Sequence, residues 1–172
     1  MDITISRLLF LLPLLTFSHL ANGQNDPSEL QRIDSIVHLF YKTLSFDDGE
    51  WKTAEKLEPL FFSDSRLIAN FGVTPQLWTT HQYIESVRSN VVKQGMSAVE
   101  EKEIYGKTDF FGKVAQRLST YEIRFKFKEK ETVRTGINLI QLIKTGGGWK
   151  INSVVWDRES EQLKVPTQYK PK

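Results

Sequence analysis

The chain has 172 residues, 40% of them hydrophobic and 12% aromatic, which suits one packed domain and excludes a chain disordered throughout. Lys and Arg number 23 against 21 Asp and Glu, a net charge of +2 that lacks the basic footprint of a nucleic-acid binder. The sequence contains no cysteine, so disulfides, thiolate metal sites, a cysteine nucleophile and a lipid-modified cysteine are excluded.

Residues 8–15 form an apolar run interrupted only by Pro13 and preceded by Arg7. This is the profile of a signal-peptide core, too short to span a bilayer as an ordinary helix. Ala21 and Gly23, two apart, suit cleavage before Gln24. The expected organisation is a signal peptide at residues 1–23, a domain at 24–160 and a loose polar tail at 161–172 containing Pro166 and Pro171. Cleavage removes Asp2 and Arg7, one charge of each sign, and leaves no membrane span. The expected location is therefore secreted or periplasmic, and the lack of cysteine fits a bacterial periplasm.

Asp26, Pro27 and Glu29 make a helix start: a carboxylate cap, a first-turn proline and an acid three residues after the cap. Ile33, Ile36, Val37, Phe40 and Leu44 then follow at the spacing of one helical face. Asp47 or Asp48 is the expected cap of a shorter second helix carrying Trp51, Ala54, Leu57 and Leu60 or Phe61, with Pro59 near its end. SRLIANFG reads as a short strand, and Gly72 with Pro75 breaks the chain after it. Thr79 or Thr80 caps a third helix that buries Tyr83, Ile84, Val87 and Val91, and Gly95 stops it. Residues 97–104, 111–127, 133–144 and 149–156 read as strands of an antiparallel meander. The three glycines at 146–148 make a hairpin turn rather than a phosphate loop.

Within 111–127 the apolar residues sit at even positions early, Val114 and Leu118, and at odd positions later, Tyr121, Ile123, Phe125 and Phe127. A strand keeps one face per parity, so this switch predicts a bulge or bend near Ser119 and Thr120 and a strongly curved sheet.

Taken together, FYKTL ending the first helix, the DDGEW turn, LEPLFFSDSRLI, HQYIESV and the final GGGWKINSVVW resemble the SnoaL-like branch of the nuclear transport factor 2 superfamily over residues 29–157. The resemblance implies an α+β cone, in which a curved antiparallel sheet packs against three N-terminal helices and leaves a pocket. Family members include isomerases, dehydratases, polyketide cyclases and epoxide hydrolases, as well as noncatalytic binding modules, and the fold often pairs as a homodimer through its exposed sheet face. In the ketosteroid-isomerase pattern the base position corresponds to Ala69 or Asn70 and the protonated acid to a position near Gln141, none of which ionises; Tyr41 matches the helix-one tyrosine. The expectation is a noncatalytic domain that holds a small apolar or amphipathic molecule or a partner, with a pocket enzyme of dehydratase, isomerase or cyclase type as the alternative. No cofactor or metal is implied.

The residues themselves offer few chemical candidates. Tyr41, His38 and Arg117 are the catalytic ones. His38 follows Asp34 by four positions and precedes Tyr41 by three, but this set lies beside the apolar stripe, where a surface pair is the expected reading. Arg117 enters the pocket if odd positions stay inward, and is a surface residue if the bend flips parity, as the pattern favours. Gln141 shares a face with Val133, Ile137, Leu139 and Ile143, which makes it a buried amide, bonded to protein or water or else to a ligand. His81, in the first turn of the third helix, is expected to cap it or lie exposed. Trp78, Tyr83, Tyr121 and Trp156 complete the expected ligand-binding set with Gln141, and Trp51 and Phe71 are further aromatics that could face the pocket or simply pack.

Overall fold

The structure is a computed structural model that describes residues 26–172 other than 48 and 129. The expected signal peptide and the Asp48 alternative for the second cap lie outside the described residues. Helix α1 spans Pro27–Leu44, and the Asp26 carboxylate accepts the Ser28 N–H at 2.9 Å as its cap. All five residues of the expected apolar face are buried. Glu29 anchors the start of the helix by accepting the Trp149 indole N–H at 2.9 Å and pairing with Lys144 at 2.8 Å.

The expected second helix is absent among the described residues, and two 3₁₀ turns, Ala54–Lys56 and Glu58–Leu60, replace it. Pro59 has no N–H with which to continue an α-helical ladder from this segment. Its apolar residues still reach the core, with Trp51, Ala54 and Leu57 buried, and the Trp51 indole N–H ties the turn to the Thr43 carbonyl at 2.6 Å.

Strand β1, Phe61–Ala69, is longer than the sequence suggests, and it pairs with a three-residue β2, Gln76–Trp78. Helix α2, Thr80–Gln94, begins in a capping box in which the Gln82 N–H reaches the Thr79 hydroxyl and the Thr79 N–H reaches the Gln82 side chain. It ends on Gly95 at φ +63°, the left-handed conformation that favours glycine. Because β1 and β2 precede α2, the helices are not all N-terminal to the sheet. No described helix is long and apolar enough to cross a membrane.

Four long strands follow: β3 Met96–Phe111, β4 Val114–Phe127, β5 Lys130–Thr145 and β6 Gly148–Arg158. The sheet order is β2-β1-β6-β5-β4-β3; β1 lies parallel to β6 and every other pair is antiparallel. The sheet curves, unclosed, around α1, so the fold is a mixed α+β arrangement.

The expected bend in β4 falls instead on its neighbour. Strand β4 pairs with β5 without a register shift from Val114 opposite Ile143 to Phe127 opposite Lys130. Opposite Thr120 and Tyr121, however, β3 carries an extra residue: Glu103 faces Tyr121 and Tyr105 faces Thr120, leaving Ile104 unpaired. The inward parity of β3 therefore changes at Ile104, while β4 keeps its odd residues inward throughout. Val114 and Leu118 suggested a switch because the outer face is also partly apolar. The C-terminal segment covers some of that face: Val165 is buried, and the Thr120 hydroxyl donates to the Tyr169 carbonyl at 2.7 Å. Residues 161–172 are thus tied to the sheet rather than loose.

Candidate functional site

Strand register places the inward residues in rows. One row runs from Glu101 through Ile123 to Arg134; the next runs from Glu103 through Tyr121 and Gly136 to Arg158; a third runs from Gly106 through Ser119, Asn138 and Trp156 to Ala69. Phe40 and Leu44 of α1 and Tyr83 of α2 line, together with residues of all three rows, a cavity of about 200 Å³. Gly136 gives the Tyr121 ring its room: a Cβ there would sit 2.6 Å from the tyrosine oxygen and 2.2 Å from the Asp157 carbonyl oxygen.

Two different polar systems share this inner face. The first is a closed chain of hydrogen bonds. Arg117 grips Glu103 with two donors, at 2.8 and 2.5 Å, and its remaining terminal nitrogen reaches Asp34 and the Thr108 hydroxyl, each at 2.6 Å. Ser119 also donates to Glu103; Tyr41 lies 2.6 Å from the Ser119 hydroxyl, and the Asn138 amide N–H donates to the Tyr41 oxygen at 2.8 Å. Since the amide nitrogen can only donate and the carboxylate only accept, Tyr41 must donate to Ser119 and Ser119 to Glu103. Burial lowers the pKa of Arg117, but its bonds to Glu103 and Asp34 outweigh that and hold it above the ordinary value. Gly106 gives the guanidinium its room, as a Cβ there would come within 2.3 Å of it.

The second system is open. Glu101 lines the cavity, and among the described residues its carboxyl has no hydrogen-bond partner. No buried side-chain polar atom of those residues is left unsatisfied, so the free oxygens of Glu101 are turned to the void. Burial pushes its pKa up to about 8, which leaves it mostly protonated at neutral pH. Its backbone is held firmly: the Glu101 N–H donates to the Ser45 hydroxyl at 2.9 Å, and Phe46 makes a two-bond bridge with Val99 at 2.8 Å. Tyr83 and Tyr121 also border this cavity, and burial followed by proximity to Glu101 raises both pKa values.

The sequence-derived candidates fall into three groups. Tyr83, Tyr121 and Trp156 line the cavity, and Trp78 supports them from behind by stacking on Trp156 at 6.1 Å. Tyr41 and Arg117 are buried, contrary to the surface reading of Arg117, yet every side-chain nitrogen of Arg117 and the Tyr41 hydroxyl are engaged in the closed chain. His38 and Gln141 are exposed, as is His81. Gln141 belongs to the outer face and accepts from the Ser153 hydroxyl at 2.9 Å, so the buried amide of β5 is Asn138, on the opposite parity. Of the two further aromatics, Phe71 borders the cavity and Trp51 is a core residue. Ala69 is buried at the end of the third row, without a base.

Sequence reasoning missed Glu101, Asn138, Arg134 and Arg158. Charges occupy both parities of β3, so nothing in its pattern separates Glu101 from Glu100 or Lys102. Among the described residues no group of three His, Asp or Glu side chains is placed to hold a metal ion.

No family model and no curated protein sequence matches the chain. Solved structures do. A candidate scytalone dehydratase from Novosphingobium aromaticivorans superposes with a TM-score of 0.62 at 13% identity, covering 84% of this chain and 93% of that one. A candidate dehydratase of the NTF2-like family from Streptomyces avermitilis gives 0.63 at 12% identity, covering 78% and 98%. An NTF2-like protein with a cystatin-like fold, also from N. aromaticivorans, gives 0.60 at 13% identity, covering 79% and 85%. The chain therefore has the NTF2-like fold.

Proposed function

We propose that this protein is a small-molecule-binding domain of the SnoaL-like type, which takes a flat, mainly apolar ligand into the cavity above Tyr121. The observation that carries this reading is the convergence, on an aromatic-walled space, of polar side chains with no hydrogen-bond partner among the described residues. Glu101, Tyr83 and Tyr121 border the cavity together with Phe40, Leu44 and Trp156. Ligand sites combine such apolar walls with a few fixed polar groups. An apolar cavity of roughly 150 Å³ can hold benzene, so about 200 Å³ suits one ring with a short polar substituent. Titration with single-ring aromatic compounds, followed by tyrosine and tryptophan fluorescence, tests this. Saturable quenching that L67W abolishes, by filling the cavity, is the expected result. Quenching unchanged by that variant would overturn it.

Glu101 supports a second reading, a pocket enzyme of dehydratase or isomerase type. A carboxyl with a pKa near the working pH can both give and take a proton, and the two tyrosine hydroxyls could donate to a substrate oxygen as charge develops on it. The fold relatives described as dehydratases are compatible with such chemistry but do not assign it. A screen of small β-hydroxy carbonyl compounds for the absorbance of the dehydrated enone tests this reading. Turnover lost in E101Q with ligand binding retained is the expected outcome; full turnover in E101Q would remove the proposed acid–base.

Residues 1–23 are proposed to direct export, on their charge and hydropathy profile. N-terminal sequencing of protein recovered outside the cytoplasm of a bacterial host should begin at Gln24. An intact Met1 would overturn this.

A further inference from the structure

Arg134 and Arg158 are the other charged groups that border the cavity, and the closed chain does not involve them. They project from adjacent strands on the inner face: Arg158 pairs with Gly136, and Arg134 lies two residues along β5 from that glycine. Diagonal neighbours of this kind sit within reach of one another's long side chains. Neither forms an ion pair among the described residues, although the nearby Arg117 and Arg124 each form at least two. Asp157, the acid adjoining Arg158, has the opposite parity, and among the described residues its carboxylate accepts only the Arg158 backbone N–H, at 2.7 Å.

Two like charges brought together without a counter-ion are unfavourable unless something holds them. Here aromatic faces do so. The Arg158 guanidinium stacks over Phe71 at 4.3 Å from the ring centroid, and that of Arg134 lies over Phe125 at 5.9 Å. Stacking uses the flat face of a guanidinium and leaves its N–H donors free at the edge, the geometry that grips a planar carboxylate. Phe71, Phe125 and both arginines all border the same cavity as Tyr121 and Trp156, so a bound anion would have its apolar part against those rings.

We propose that Arg134 and Arg158 form a clamp for the head group of the ligand, and that the ligand class is a small amphipathic carboxylate, with one aromatic or alicyclic ring lodged in the cavity. This rests on the binding reading above. Without the anion, the clamp would be two stacked, solvated cations at the rim; with it, two charge-assisted hydrogen-bonding groups converge on one carboxylate.

Phenylacetate and its neutral isostere phenylacetamide, titrated separately into the folded protein and followed by calorimetry, test the clamp. Phenylacetate should bind at least tenfold more tightly, the scale of a hydrogen bond to a charged group. In the R134Q/R158Q variant that advantage should vanish through loss of phenylacetate affinity, while phenylacetamide still binds. Equal binding of the two compounds by the unmodified protein, or a phenylacetate advantage that survives in the variant, would overturn the clamp and leave the pocket standing. Failure of both compounds to bind would overturn the pocket reading and the clamp with it. Because both arginines are at least partly exposed and make no ion pair among the described residues, the variant should fold, which an unchanged circular dichroism spectrum would verify.

Discussion

Glu101 and Glu103 are two residues apart on one strand, face the same side of the sheet and experience opposite environments. Glu103 is saturated: Arg117 and Ser119 occupy its oxygens, and the chain continues through Tyr41 to Asn138. Glu101 has its backbone fixed by Ser45 but its carboxyl turned to a cavity with nothing in the described structure to bind it. The same residue type is thus ion-paired and hydrogen-bonded in one place and, in the other, left without a partner among the described residues, its pKa raised by burial. What separates them is partners, since both are sheltered from bulk water.

The largest way to break this contrast is to remove the partner of Glu103. R117M would leave Glu103 facing Ser119 alone and Asp34 without its cation, and should destabilise the fold by about 3–5 kcal/mol in urea denaturation. Adding E103Q to R117M should recover part of that loss, because the uncompensated charge is then gone. If the double variant is no more stable than R117M, charge is not what the arginine supplies.

Comparable in size is the pH dependence attached to Glu101. Well below pH 4, the carboxyl is protonated in both folded and unfolded chains, and E101Q should match the unmodified protein. As pH rises past the ordinary value of 4.5, the unfolded chain releases its proton while the folded protein keeps it until about pH 8. Stability of the unmodified protein should therefore fall across that window, by roughly 1.4 kcal/mol for each unit separating the two pKa values. E101Q lacks this slope and should become the more stable protein towards pH 8 and above. The charged and titratable groups around Glu101 are Tyr41 and Tyr83 on the helices, Glu103 on its own strand, and Tyr121, Arg134 and Arg158 across the sheet, none of which E101Q alters. Stability that is flat between pH 5 and 8 would show that Glu101 is already ionised in the folded protein.

A smaller effect is expected within the closed chain. Y41F removes the hydroxyl that links Asn138 to Ser119 and should cost about 1–2 kcal/mol, with no change in ligand affinity. A change in affinity without a change in stability would move Tyr41 from the structural system into the cavity. Smallest of all, H38A on the exposed face of α1 should alter stability by less than about 0.5 kcal/mol and leave binding untouched.

Legibility in the sequence followed the range of the interactions involved. The ends of α1 and α2 could be read because Asp26, Thr79 and Gly95 act on their own neighbours. The four long strands could be read in part from alternation, although β3 runs on to Phe111, beyond its expected end at 104; the aromatic lining was also partly legible, since Tyr83, Tyr121 and Trp156 do border the cavity. The second helix could not, because Pro59 splits a periodic segment into 3₁₀ turns that still bury its apolar residues. Gln141 and Arg117 were misplaced for a single reason. Apolar residues occur on both faces of β4 and β5, so parity alone could not say which face was inward.

By itself the sequence determined the periodic elements, their caps, the absence of cysteine chemistry and the near balance of charge, all of which depend on composition or on residues a few positions apart. Tertiary structure decided which face of each strand looks inward, and did so through the unpaired Ile104 in β3 and the C-terminal segment laid over Thr120. It also decided the roles of two glutamates that local sequence cannot tell apart. Arg117, across the strand, reaches Glu103 and leaves Glu101 to the cavity, and no local pattern encodes the reach of a side chain on a neighbouring strand.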